Sequence, residues 1–288
     1  MYRRISTLVL PGVLYLDTLR IFMEFNSIAT ALAEVARVRA AQAQDSALLA
    51  AVSSIKRQQS KRFAYSYADI LTSPHIGPAA QFFLTELYSD RDFAERDTQF
   101  ARIAGGLTKL FPQQVSATAL ALARLHALSE QLDDTMARSL LASNCSGKTN
   151  SNALPLYVQL WRSVGQRPAR DRQLTLALQL GAELDQLTRI PGLRTLLRIM
   201  RRPATAAGLS QLQVFLERGF DTFAAMHRSP QGASEFLRII SVRERAWIDR
   251  LFGVLSPTIG VFQYGDSLWP ELELILNGDG DIHGKNLA

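Results

Sequence analysis

Residues Phe82–Phe111 read FFLTELYSDRDFAERDTQFARIAGGLTKLF. Two amphipathic segments meet there at a charged corner, Ser89–Asp92. Asp92 is placed to cap the second segment, and Glu95, three residues on, to complete a capping box. Phe93, Phe100, Ile103, Leu107 and Leu110 then fall on one face at helical spacing, and Pro112 ends the run. Arg96 and Asp97 sit at the start of this helix, where they suit an interhelical salt bridge. The set Asp92, Glu95, Arg96 and Asp97 therefore reads as a structural polar cluster, because capping alone explains its spacing.

Outward from this corner, helical periodicity covers almost everything from 27 to 252. Ser27 is a candidate N-cap. Ile28, Leu32 and Val35 form an apolar stripe that Arg39 interrupts in its last turn. Ser46 opens the next helix, with Leu48, Leu49, Val52 and Ile55 inward. From Ser116 a long helix repeats Leu125, Leu128, Leu132 and Met136 at coiled-coil-like spacing. In the second half, Leu176, Leu180, Leu184 and Leu187 line one helix, and Pro191-Gly192 breaks it. Leu209, Leu212, Phe215, Leu216, Phe220, Phe223 and Met226 make an unusually broad apolar face. Gly219 within it costs roughly 1 kcal/mol of helix propensity, which suggests a close helix crossing. Phe236, Ile240, Trp247 and Leu251 form the last clear stripe. No convincing strand pair exists. The fold expected is an all-α bundle of about nine to eleven helices. It divides into helical subdomains at 23–142 and 154–252, joined by the polar linker 143–153. Residues 253–288 read as a loosely attached tail. Residues 1–22 read as an upstream extension or flexible segment, with Met23 as an alternative start.

The motifs FFLTELY (82–88) and DFAERD (92–97) have the form FFLxELY followed by DFxxRD. They resemble the marks of an all-helical bacterial family of unknown function. FLERGFDTFAAM (215–226) and FLRIISVRE (236–244) resemble the same family, so the likeness covers most of 23–252. The resemblance implies a helical fold and no particular activity. Its motifs are mainly core and capping residues.

Apolar residues make up 47% of the 288 and charged residues 20%, a composition that supports a core without staples. The single Cys145 cannot form an internal disulfide, which favours a reducing, cytoplasmic setting. The net charge of +6 is modest for this length, and basic residues alternate with acids. That weighs against a nucleic-acid partner. No run is long enough to span a bilayer.

Chemical motifs are few. Ser146-Gly147-Lys148-Thr149 ends like a phosphate loop, but Ala142 stands where its first Gly belongs and a helix precedes it. Asn277, Asp279 and Asp281 lack the Gly and Glu of a calcium loop, since Ile282 and Ala288 occupy those places. His126, Glu130 and Asp133 share a helix face, read as a solvated polar side opposite the leucine seam. No metal site or cofactor is assigned. His126 would serve a haem iron only if turned into an apolar cavity. Arg189, Arg194, Arg198, Arg201 and Arg202 form the densest basic cluster.

No local catalytic motif is present, and the reading leans against an enzyme, although catalytic residues scattered along the chain would leave no motif. The first expectation is a non-enzymatic helical interaction or regulatory protein that binds a protein partner, or a second copy of itself, through helix–groove contacts. Another is a carrier or sensor with an apolar or haem-sized pocket lined by Phe82, Phe83, Phe215, Phe220 and Phe223, with His126 beside it. A third is an anionic lipid or nucleic-acid surface binder using Arg189–Arg202.

Overall fold

The computed structural model describes residues 26–86, 89, 91, 93–110, 112–143, 153–227 and 232–253, without the side chains at 107–110 and 153–155. Asp92, Cys145, the 146–149 run, residues 1–25 and the segment from 254 onward lie outside the described residues.

The described chain is an all-α multi-helix bundle. Its helices are α1 (Ile28–Ala43), α2 (Ser46–Ser66), α3 (Ala68–Leu71), α4 (Gly77–Glu86), α5 (Ala94–Leu110) and α6 (Gln113–Ala142). They continue as α7 (Ala153–Val164), α8 (Arg167–Thr188), α9 (Leu193–Ile199), α10 (Arg201–Ala206), α11 (Ser210–Met226) and α12 (Gly232–Leu251). The short α3 and α10, of four and six residues, bring the described total to twelve. Among the described residues no strand forms, and no helix is long and apolar enough to cross a membrane.

Caps begin where short polar side chains precede apolar periodicity. Ser27 and Thr30 close a reciprocal box: Thr30 N–H donates to Ser27 Oγ at 3.1 Å, and Ser27 N–H donates to Thr30 Oγ1 at 3.3 Å. Asp45 Oδ1 accepts from the N–H groups of Ala47 and Leu48 and starts α2. At the charged corner, α5 begins at Ala94. The Glu95 carboxylate there accepts from Gln99 Nε2 at 3.0 Å.

The thirty-residue α6 is the spine. It packs against α1, α2, α7 and α8, and α8 packs in turn on α11 and α12. One buried cluster runs from Ile28 to Leu251, with Phe63, Tyr67, Phe223 and Phe236 almost wholly enclosed. Leu125, Leu128 and Leu132 of α6 meet Ala169, Leu176, Ala177 and Leu180 of α8 in a second seam. Leu49, expected inward, points to solvent, while Leu48, Val52 and Ile55 are buried.

The polar stripe His126–Glu130–Asp133 is a correction to the sequence reading. It is not a solvated face. Helices cover α6 on more than its leucine side, so Glu130 and Asp133 are buried and His126 half-buried. Burying such groups is costly without partners, and α1 and α2 supply them. Glu130 takes Arg39 at 2.9 Å and Lys56 at 2.7 Å. Asp133 Oδ1 accepts from Gln59 Nε2 at 2.6 Å. Arg39, which interrupts its apolar stripe, faces this carboxylate.

Other charged pairs also clamp helices. Arg218 of α11 binds Glu86 of α4. Arg243 of α12 holds Asp69 of α3 at 2.7 Å. Arg62 of α2 forms a two-pronged pair with Glu244 of α12 at 3.0 and 2.9 Å. At Gly219 a Cβ would lie 3.1 Å from Phe82 Cζ, so the missing side chain lets α11 close on α4.

Candidate ligand cavity

A cavity of about 460 Å³ lies among α4, α5, α6, α8, α9, α10 and α11. Each helix contributes its apolar stripe. Phe82 and Phe83 come from α4, Phe100 and Ile103 from α5, and Ala119 and Leu122 from α6. Leu180, Leu184 and Leu187 come from α8, and Leu212, Phe215, Leu216 and Phe220 from α11. The broad face of α11 is thereby explained. Part of it packs into the core through Phe223 and Met226, and part lines the cavity.

The few polar side chains on the wall are already engaged. Thr118 Oγ1 donates to the Gln114 carbonyl at 3.0 Å. Gln213 Nε2 donates to the Leu197 carbonyl at 2.7 Å and to Glu217 at 2.8 Å. Arg102 Nη2 donates to the Ala207 carbonyl at 2.9 Å. Among the described residues the polar side chains on the wall are few and each already makes a hydrogen bond within the protein. The lining selects for apolar contact.

Aromatic contacts fix the wall. Phe82 stacks on Phe215 with centroids 5.6 Å apart and meets Phe83 edge-on at 6.4 Å. Phe83 is braced from behind by Phe223 at 6.2 Å and Phe236 at 5.5 Å. Phe82, Phe83, Phe215 and Phe220 thus line the cavity, whereas Phe223 supports it from the core. His126 does not reach it. Its Nε2 lies 2.7 Å from Asp97 Oδ2, and it borders a separate space of only about 40 Å³. No histidine lines the cavity among the described residues, which leaves a haem iron without the ligand expected from His126.

The polar cluster lies beside this wall. Arg96 is 3.3 Å from Asp97 and donates to the Glu86 carbonyl at 3.2 Å. Its guanidinium rests over Phe93 at 4.1 Å and over Phe215 at 4.7 Å. Burial pulls the Arg96 pKa below its usual value against the opposing pull of Asp97 and Glu86. Glu95 stays with Gln99 and joins none of these contacts.

The basic cluster covers the opposite side of the wall. Leu193, Leu197, Met200 and Ala204 of the α9–α10 segment line the cavity, and the arginines project outward. Arg189 pairs with Asp185 at 3.0 Å, Arg194 with Asp221 at 2.8 Å, and Arg201 with Glu217. Arg198 and Arg202 form no salt bridge among the described residues. Elsewhere among the described residues, no group of three His, Cys, Asp or Glu side chains is arranged to hold a metal ion.

The sequence reading missed the contributions of Phe100, of the α8 leucines and of α9–α10. The signal for the last was present: Leu193, Leu196, Leu197 and Met200 lie opposite the arginines.

Fold and cavity together define an all-helical protein with an apolar pocket between its helices. The chain belongs to the family described as a domain of unknown function, DUF8198, whose model matches residues 38–256. No curated protein and no solved structure matches the chain.

Proposed function

We propose that this protein binds one apolar small molecule, a lipid-like ligand, in the cavity between α5, α6, α8 and α11. The supporting observation is the volume and chemistry of that cavity. Its 460 Å³ falls within the roughly 300–1,000 Å³ typical of small-molecule sites. The wall is almost wholly apolar, so an apolar occupant covering it would remove that surface from water. The apolar wall, with its polar groups already hydrogen-bonded, favours an aliphatic or aromatic body over a sugar, nucleotide or amino acid.

A protein-interaction role rests on less. Among the described residues away from the cavity mouth, the large exposed apolar side chains are Leu49 on α2 and Val214 on α11.

The test is saturable binding of Nile red to the purified chain, with palmitic acid as competitor and native mass spectrometry of the same sample. One-site binding that palmitic acid displaces, and that Ala119→Trp abolishes by filling the cavity, is the expected result. Absence of saturable binding, or binding indifferent to Ala119→Trp in a folded variant, overturns the reading.

A further inference from the structure

We propose that the outer face of α9–α10 docks on an anionic phospholipid bilayer, from which the cavity is loaded. This rests on the cavity reading above and adds the source of the ligand.

The segment 193–207 has two faces. Its inner side, Leu193, Leu197, Met200 and Ala204, lines the cavity. Its outer side carries Thr195, Arg198, Ile199 and Arg202, at i, i+3, i+4 and i+7. Met200 between the two helices keeps a helical backbone, φ −70° and ψ −11°, so the stripe runs on from α9 into α10.

Ile199 stands in the middle of that stripe with 65% of its surface exposed. One exposed aliphatic side chain is ordinary on a protein surface; this one is flanked by Arg198 and Arg202 and lies on the helix that covers the cavity. Leu196 and Leu216, 39% and 38% exposed, also line the cavity, so they mark its rim, with Leu196 one turn before Ile199 on α9. The apolar rim and the cavity are therefore continuous.

The charge is complementary to lipid phosphate. Arg194 and Arg201 are held to α11 by Asp221 and Glu217. Arg198, whose charge also acts on Glu217, and Arg202 form no salt bridge among the described residues and are exposed. Cations flanking an aliphatic patch are the pattern of a helix lying in a bilayer interface, with guanidinium groups at the phosphates and the aliphatic side chain below them. Single-stranded nucleic acid would call for aromatic side chains to stack on, and this face has none.

Glycine turns set the segment off from its neighbours at both ends. Gly192 and Gly208 bracket it with φ of +81° and +68°, in the left-handed region that other residues avoid. An α9–α10 cover held on the membrane would open the cavity toward the acyl layer.

The test is flotation of the full chain with vesicles of phosphatidylcholine and phosphatidylglycerol in equal parts, against vesicles of phosphatidylcholine alone. Nile red binding without vesicles is measured in parallel. Binding to the mixed vesicles only is expected. The double variant Arg198→Glu/Arg202→Glu should weaken it at least roughly 25-fold, from about fivefold per basic residue near an anionic surface. Ile199→Asp should weaken it as well, and all variants should keep Nile red binding. Nile red binding without flotation, or flotation unchanged by the double variant, overturns the docking and leaves the cavity reading standing. Flotation without Nile red binding overturns membrane loading together with the cavity reading. Charge-dependent binding to single-stranded RNA with no flotation overturns the docking in favour of nucleic acid.

Discussion

Asp97 Oδ2 receives both His126 Nε2 at 2.7 Å and Arg39 Nη1 at 2.8 Å, so one carboxylate ties α5 to α6 and to α1. Burial alone would push the Asp97 carboxyl up. The His126 hydrogen bond and the charges of His126, Arg96 and Arg39 pull it down to about 2 instead. Glu130 behaves alike: burial raises it, and Lys56 and Arg39 bring it to about 2. A carboxyl depressed in the folded state stabilises the fold only while ionised. That stabilisation is complete above the unfolded values of 3.8 and 4.5 and is lost as pH falls toward about 2. Asp133, raised by burial, works in the opposite direction and softens the fall. Urea midpoints should hold steady from neutral pH to about pH 5 and drop between there and about pH 2. Asp97→Asn should lower the plateau and flatten the drop. An unchanged slope in that variant would remove Asp97 from the explanation.

The Arg62–Glu244 pair makes a different prediction. Arg62 is only 4% exposed, and the carboxylate of Glu244 and the hydroxyl of Tyr67 converge near it. Burial opposes its charge, and Glu244 more than offsets that, so its pKa lies above the usual value. Glu244→Ala strands a buried guanidinium and should cost about 3–5 kcal/mol. Replacing both partners by apolar residues, Arg62→Met with Glu244→Leu, should cost less than Glu244→Ala alone. Chemical denaturation of the three variants decides this, and a double variant weaker than the single one would refute it.

Gly219→Ala should stabilise the protein and weaken its ligand binding together. The new methyl would lie 3.1 Å from Phe82 Cζ, so the ring must yield by a few tenths of an ångström. Phe82 borders the cavity, so it has space to move. Replacing a mid-helix Gly by Ala then contributes up to about 1 kcal/mol. The displaced ring narrows the cavity. A raised melting temperature with weaker Nile red binding is expected. A lowered melting temperature would show that Phe82 is fixed by its stack on Phe215.

The helices were legible in the sequence because local periodicity and punctuation specify them. Ser27, Pro112 and Pro191-Gly192 fall at observed boundaries, and the Leu125–Leu128–Leu132 seam packs as its spacing implies. Long-range pairing was less legible. Glu130 and Asp133 looked solvated because their partners Arg39, Lys56 and Gln59 lie more than seventy residues away in the chain. The cavity was half legible. Aromatic residues pointed to Phe82, Phe83, Phe215 and Phe220. Periodicity could not separate the side of α11 that meets other helices from the side that meets a void, so Phe223 was assigned to the same wall. His126 was illegible for a related reason: helical spacing defines its face on α6, but not the Asp97 carboxylate that meets it from α5.

Arg102 on α5 donates to the carbonyl of Ala207, just past α10, and so spans from one wall of the cavity to its cover. The contact is exposed, and its loss leaves no buried group stranded. Removing it should therefore cost little global stability. It ties α5 to the end of the α9–α10 segment, next to the glycine turn at Gly208. Arg102→Ala should raise the release rate of Nile red about fivefold, the equivalent of about 1 kcal/mol for an exposed charge-assisted hydrogen bond. The melting temperature should change little. Stopped-flow displacement by excess palmitic acid measures the rate directly. A release rate equal to that of the unaltered protein would mean that the ligand leaves by another route and that α9–α10 is a fixed wall.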